Sequence, residues 1–314
     1  MNAEQKNLYF EFSSAAKNEL AGYLKTLDIE SIKDPNVFLP IDESKIPNFK
    51  KDVEKIRQLV EGPQKFLVTK KIELLNLLEA RYVTWSLATM LGQPIIQNDQ
   101  GHQVISIYDR DRSNTMAKGA RYHQTREGGT IHTDNVNTPE VWEYLLFGCV
   151  AEGHVGGENI LVNGLDLYQE LKTNYPDVLK ILETPFTWEC RGVNDSTYLS
   201  PIITYTKTGE PIFRHLRPYM ESAHNKTNNP LSVEQIYALD CLDALCESAQ
   251  FQTRVKVKAG EVFVSLDYQS LHGRSCFSDA LDTITIVDYL NGKKGKLKRT
   301  LDRLWIRKNP IAQN

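Results

Sequence analysis

From Pro94 onward the chain is written in short runs suited to strands, parted by glycine turns. Residues 94–97 and 103–108 flank a turn at 98–101, and 144–150 is an uninterrupted apolar run. Gly156-Gly157 leads into 159–162, and Gly260-Glu261 leads into 262–266, which runs on toward His272. Runs of this length bounded by Gly and Pro read as strands. Thr208-Gly209, between 202–205 and 211–213, marks a hairpin. The first third reads differently. Residues 3–27 and 50–61 carry apolar residues at helical spacing, the latter with Val53, Ile56, Leu59 and Val60 on one stripe. Between them, Pro35, Pro40 and Pro47 mark a surface loop. Residues 70–91 form the longest predicted helix, with Gly92 and Pro94 as stop signals. Further helices are expected at 166–174, 177–183 and 232–248, the last opened by a Ser232/Gln235 capping box. Short strands with helices outside them select an α+β fold. Its core is a double-sheet jelly roll, the cupin-like double-stranded β-helix. One domain spanning 1–314 is expected, with 1–65 as a helical extension on a 66–314 core.

Within that frame, His132 and Asp134 stand two apart in Gly-Gly-Thr-Ile-His-Thr-Asp-Asn, residues 128–135. On a strand, positions i and i+2 face the same side, so an imidazole nitrogen and a carboxylate oxygen would converge. A second histidine, His272, follows a distant strand-like run. Two histidines and one carboxylate on one face of Fe(II) leave the opposite face open for ligands. An isolated H-x-D is common by chance, and most buried histidines are simply hydrogen-bonded. The C-terminal segment adds weight. Arg299, Arg303 and Arg307 recur every four residues, on one face of an extended strand, with Leu304 and Ile306 on the other. An inward guanidinium needs an anion, and a dicarboxylate such as 2-oxoglutarate supplies one. Taken alone, the segment reads better as a solvated basic stretch with a core-facing Trp305.

Composition narrows the partners. A formal net charge of −3 gives no general attraction to nucleic acid or anionic membrane. No apolar run is long enough for a membrane span, and residues 1–6 lack a signal-peptide core. Five scattered cysteines without a CxxC suggest reduced thiols and a cytoplasmic setting. A small-molecule substrate is expected; assembly into a homo-oligomer stays open.

These pieces, in this order, resemble the TauD/TfdA family of Fe(II)- and 2-oxoglutarate-dependent dioxygenases. The resemblance is carried by His132-Thr133-Asp134, Gly156-Gly157-Glu158 and Gly260-Glu261-Val262-Phe263-Val264. It continues in Leu271-His272-Gly273-Arg274 and the Arg299–Trp305 stretch. It implies that His132, Asp134 and His272 ligate iron, and that Arg299 holds the distal carboxylate of 2-oxoglutarate. Arg303 would meet either the cosubstrate or an anionic group of the substrate. Asn159 stands where relatives carry Thr or Ser beside the cosubstrate. The segment from His272 to Arg299 is longer than in many relatives, leaving the two arginine roles exchangeable.

The implied reaction consumes O2 and 2-oxoglutarate, releases succinate and CO2, and oxidises an unactivated C–H of a small carboxylate-bearing molecule such as an amino acid. Hydroxylation is the first expectation, and halogenation is disfavoured, because the carboxylate ligand that halogenating relatives lack is present as Asp134. Desaturation, cyclisation and C–C cleavage are the alternatives within the same chemistry, and a non-catalytic jelly-roll binding protein is the alternative outside it. Arg121, Tyr122, Asn135, Arg214 and Arg303 are the candidate substrate contacts. They come mainly from the polar loop at 109–129 and the basic cluster at 214–217. His102, His123, His154 and His224 have no partner at ligand spacing.

Overall fold

The computed structural model describes residues 8–308 apart from 112, 114, 116–123 and 191–194. Two of the expected substrate contacts, Arg121 and Tyr122, lie outside the described residues.

Nine strands build the centre: β1 (Phe66–Thr69), β2 (Val104–Ile107), β3 (Gly129–His132), β4 (Tyr144–Ala151), β5 (Asn159–Asn163), β6 (Gln252–Val255), β7 (Val262–Leu266), β8 (Ser270–Arg274) and β9 (Thr300–Arg307). A seven-stranded sheet runs β1-β7-β4-β9, with β2 and Gln93–Pro94 both on β9 and Tyr9–Phe10 on the far side of β1. A four-stranded sheet runs β6-β5-β8-β3. Both sheets are antiparallel across these central pairs. They face each other without closing into one hydrogen-bonded barrel among the described residues, so the jelly roll is a sandwich.

Strand periodicity assigns the faces. On β4, Leu145, Phe147 and Cys149 point between the sheets, while Tyr144 and Leu146 point outward. On β9, Leu301 and Trp305 point between the sheets, while Leu304 and Ile306 point outward. On β5, Leu161 points inward, while Ile160 and Val162 point outward. The inner layer is thus apolar at its centre.

Helices cover both outer faces. α1 (Ser14–Leu24), α2 (Pro47–Glu61) and α3 (Leu77–Leu91) pack on the larger sheet. Phe12, Leu20 and Phe49 share a core there with Leu146 and Ile306. α4 (Gly164–Asn174), α5 (Pro176–Leu182), α6 (Arg217–Lys226) and α7 (Val233–Glu247) pack on the smaller sheet. A short α8 (Ile286–Leu290) lies between β8 and β9.

Several expectations need correction. The 70–91 helix begins at Leu77, because Asn76 and Glu79 form a reciprocal capping box and the chain before them is β1 and a turn. Leu59 is 40% exposed, so the α2 stripe is Val53, Ile56 and Val60. The predicted 94–97 strand is reduced to Gln93–Pro94. Residues 3–27 contain one described helix, preceded by the Tyr9–Phe10 strand.

Candidate active site

β3 and β8 pair so that His132 stands directly opposite His272. Both lie on the inward side, since their neighbours Ile131 and Leu271 pack outward against the helices. The imidazole centroids are 4.4 Å apart. Thr130 O accepts a 2.8 Å hydrogen bond from His132 Nδ1, which leaves Nε2 with its lone pair facing the site.

Asp134 arrives by another route than the one the H-x-D spacing suggests. β3 ends at His132, and Asp134 sits in the turn beyond it. Its backbone N–H donates to Asp267 Oδ1 at 3.3 Å. Thr133 exchanges two hydrogen bonds with the 215 segment, one through its backbone and one through its hydroxyl: Thr133 N–H donates to His215 O, and His215 N–H donates to Thr133 Oγ1. Arg214 donates to the carbonyls of Asn135, Thr138 and Pro139, and the Tyr198 hydroxyl donates to Val136 O. The turn is therefore fixed from two sides, and Asp134 Oδ1 comes to 3.4 Å from His132 Nε2 and 3.7 Å from His272 Nε2.

One ligand-type atom from each of His132, Asp134 and His272 falls within 4.8 Å of the others. Their protonation suits a cation. Burial would push the Asp134 carboxyl up, but the Arg303 guanidinium and the two imidazoles outweigh it and hold the group far below the usual carboxylate range. Burial, with His132 adding to it, pushes His272 down to about 3. A neutral His272 imidazole and an ionised Asp134 carboxylate are protonation states that metal ligands require. Two nitrogens and one oxygen on one side fit Fe(II) with its other positions open.

The remaining candidates divide. Arg303 points into the site, its Nη1 3.2 Å from Asp134 Oδ2. Arg299 is 3% exposed and precedes β9, with its guanidinium carbon 4.8 Å from the Phe277 ring. It packs on the Gly156-Gly157 turn so closely that a Cβ on Gly157 would stand 2.8 Å from its Nε. Asn159 is buried at the start of β5, in register with Arg274 of β8. Arg307 turns out to be half-exposed and paired with Glu140. Arg214 is 4% exposed, and its guanidinium donates to the 135–139 turn and Tyr198, which casts it as a brace. Asn135 is fully buried and accepts from the Thr133 hydroxyl at 3.1 Å. His224 is buried with Thr187 N and Asn229 O on its two ring nitrogens, and His154 is exposed, so both stay apart from the site.

Four contributors escaped the sequence reading: Trp305, Asp267, Gln97 and Arg274. Trp305 Nε1 donates to Asp134 Oδ2 at 2.7 Å, and Gln97 Oε1 accepts from Arg303 Nε at 2.9 Å. Arg274 Nη2 reaches Thr125 O at 2.5 Å and Glu127 O at 2.9 Å, tying down the chain that enters β3. Arg274 and Trp305 stood inside recognised motifs, two residues from His272 and Arg303, without a role of their own; Asp267 and Gln97 gave no signal.

Fold and site together define a double-stranded β-helix protein with a two-histidine, one-carboxylate centre, the class of the non-haem iron oxygenases. The family model described as taurine catabolism dioxygenase TauD, TfdA family, matches residues 40–284, which include all three centre residues. The chain belongs to the TauD/TfdA family and is an enzyme of that family, whose members work with Fe(II), 2-oxoglutarate and O2. Arg299 and Arg303 lie beyond the matched span.

Among relatives, FR-33289 synthase of Streptomyces rubellomurinus (strain ATCC 31215) is 24% identical over 239 residues, 74% of this chain. That match spans 66% of the relative, just under two thirds of its length. Uridine-5'-phosphate dioxygenase of an Amycolatopsis species is 23% identical over 212 residues, 65% of this chain and 76% of that protein. The solved structure of the non-heme iron oxygenase OrfP with Fe and alpha-ketoglutaric acid superposes with a TM-score of 0.67 at 15% identity. It covers 96% of this chain and 94% of its own. Asparagine oxygenase with Fe(II), 2S,3S-3-hydroxyasparagine and succinate gives 0.65 at 12% identity, covering 96% and 94%. These similarities support the fold.

Proposed function

We propose that this enzyme oxidises, by hydroxylation, an unactivated C–H of a small carboxylate-bearing molecule, an amino acid or a derivative of one. It would consume O2 and 2-oxoglutarate and release succinate and CO2. The observation that carries the reading is the buried meeting of His132 Nε2, Asp134 Oδ1 and His272 Nε2 on the inner face of the sandwich. When bound there, Fe(II) supplies the activation of dioxygen. The chain's own residues do the rest. His132, Asp134 and His272 would hold the cation from one side. Arg299 supplies a buried cationic group for the distal carboxylate of 2-oxoglutarate. The apolar layer of Phe147, Leu161 and Phe263 keeps water from the reacting atoms. Arg303 is engaged with Asp134 and Gln97, which favours Arg299 as the cosubstrate arginine.

The substrate class is supported by two solved neighbours in complex with hydroxylated amino acids, hydroxyasparagine in asparagine oxygenase and hydroxy-L-Arg in OrfP. The nucleotide named for one relative makes a phosphate-bearing substrate the comparison arm. We further propose that residues 1–314 act as one oxygenase unit, since Phe12, Leu20, Phe49 and Val60 of the N-terminal extension share a core with β4 and β9. A cytoplasmic setting fits five unpaired cysteines. No described helix is long and apolar enough to cross a membrane.

The test is an anaerobic titration of Fe(II)-loaded protein with 2-oxoglutarate, followed by its visible charge-transfer band. The band should appear in the wild type and be absent from His132→Ala and Asp134→Ala. Succinate release is then scored against a panel of amino acids and uridine 5'-phosphate. A band that persists in both variants would remove the metal assignment. Turnover on the nucleotide alone would replace the substrate class.

A further inference from the structure

The two oxygens of Asp134 meet different surroundings. Oδ1 faces the two imidazoles. Oδ2 accepts the Trp305 indole N–H at 2.7 Å and the Arg303 Nη1 at 3.2 Å. Neither donor is loose. Arg303 donates from Nε to Gln97 Oε1 at 2.9 Å, and its guanidinium carbon stands 4.4 Å from the Trp305 ring centroid. Trp142 stacks on Trp305 with centroids 4.4 Å apart and planes 21° from parallel. Trp305 and Arg303 are both inward positions of β9, so one strand delivers both donors to one oxygen.

The torsion that rotates a carboxylate about its Cβ–Cγ bond is broad. Left alone, Asp134 could turn both oxygens, or neither, toward the histidines. Two donors on Oδ2 remove that freedom and draw charge toward the occupied oxygen. We propose that Trp305 is a positioning residue for the centre. It fixes the Asp134 carboxylate, with Arg303 reinforcing it, so that Oδ1 alone is presented beside the two imidazoles. The proposal rests on reading His132, Asp134 and His272 as the metal site. Partners of this kind behind a ligand commonly change metal affinity by about 10–100-fold when removed.

The test is Co(II) binding to metal-free, full-length protein by calorimetry, without 2-oxoglutarate or dioxygen. Trp305→Phe keeps the ring and the stack and deletes the donor; its Co(II) affinity should fall by about tenfold or more. Trp142→Phe keeps an aromatic ring in the stack. Its own N–H has no partner among the described residues, and its Co(II) affinity should match wild type. A Trp305 serving only as core would lower the melting temperature and leave the affinity of the folded protein unchanged. Wild-type affinity in Trp305→Phe therefore overturns the proposal. Asp134→Ala separates the two readings. Weak binding there, with normal binding in Trp305→Phe, keeps the metal site and removes the role of Trp305. Normal binding in both removes the site itself. Should Trp305→Phe fail to fold, the indole N–H resonance of Trp305 in labelled protein decides, assigned by single Phe replacements of the other three tryptophans. It should lie downfield in the metal-free form and lose that shift in Asp134→Ala. A resonance indifferent to Asp134→Ala overturns the proposal.

Discussion

Arg299 and Arg303 are four residues apart and end in different chemistry. Arg303 is held on Asp134 and Gln97, while Arg299 packs against Phe277 and the Gly156-Gly157 turn. Arg299→Ala should therefore raise the 2-oxoglutarate concentration needed for half-maximal turnover by tenfold or more, consistent with loss of a charge-assisted hydrogen bond of about 1.5–3 kcal/mol. Arg303→Ala should leave that requirement closer to wild type; steady-state titration of both variants checks the order. A second residue offers a pH test away from the site. Lys65 is 1% exposed, and its ammonium has the Glu61 carbonyl at 3.2 Å. Burial lowers its pKa from 10.5, against the opposing pull of Glu210 and Glu61. The unfolded chain thus holds this proton more tightly than the folded one. Stability rises as the pH climbs toward 10.5, where the unfolded side chain also becomes neutral. Lys65→Met should be more stable than wild type at neutral pH, with the gap narrowing toward 10.5. Denaturant melts at three pH values measure it, and a constant gap would mean that Lys65 does not titrate in this range.

At the level of elements, what the sequence revealed follows from what each signal depends on. The strand runs at β4, β5, β7 and β8 and the capped helix α7 were legible because burial and capping leave local patterns. The helix α8 was not, since its five residues are too few to show a period. The Phe186–Glu189 and Thr197–Ser200 hairpin and the helix α6 were also passed over; the 214–217 stretch registered only as a basic cluster, although Pro218 sits in the first turn of α6. The three residues of the proposed centre were legible as residue types, and the pairing of His132 with His272 follows from two strands both being recognised. Trp305 was illegible because an aromatic on a buried strand reads as packing, and the partner of its N–H is 171 positions away. The convergence of Asp134 was right in outcome and wrong in cause, since a braced turn performs it. Among the connecting elements, the Gly156-Gly157 turn makes the sharpest prediction. Gly157 has φ +79°, and a Cβ there would press on Arg299. Gly157→Ala should cost about 1–3 kcal/mol and weaken 2-oxoglutarate binding. A melting curve paired with the charge-transfer titration reads both. A variant that loses stability with unchanged cosubstrate affinity would separate the turn from the pocket.

Across the whole molecule, three layers meet at β9. Asp302 points outward from it and is held by Arg81 of α3, with Nε–Oδ2 at 2.7 Å and Nη2–Oδ1 at 3.1 Å. The same guanidinium reaches the carbonyl of Pro35 in the N-terminal extension, and Ser106 of β2 donates to Asp302 at 2.7 Å. Both charged side chains are almost wholly buried. Asp302→Asn should therefore lower stability by about 3–5 kcal/mol, because it leaves a buried guanidinium uncompensated. Chemical denaturation checks the size, and a loss below about 1 kcal/mol would place the pair among ordinary surface contacts.

The alternation along β9 also determines where the gene tolerates changes of length. Asp302, Leu304 and Ile306 serve the helical layer, and Leu301, Arg303 and Trp305 serve the interior. One residue inserted between Leu301 and Asp302 would exchange the faces of the positions that follow, turning a carboxylate toward Asp134 and an arginine and a tryptophan toward the helices. The exposed 291–296 stretch just upstream carries no such parity and can lengthen or shorten. Length differences among relatives should therefore collect before β9 and stop at its first residue.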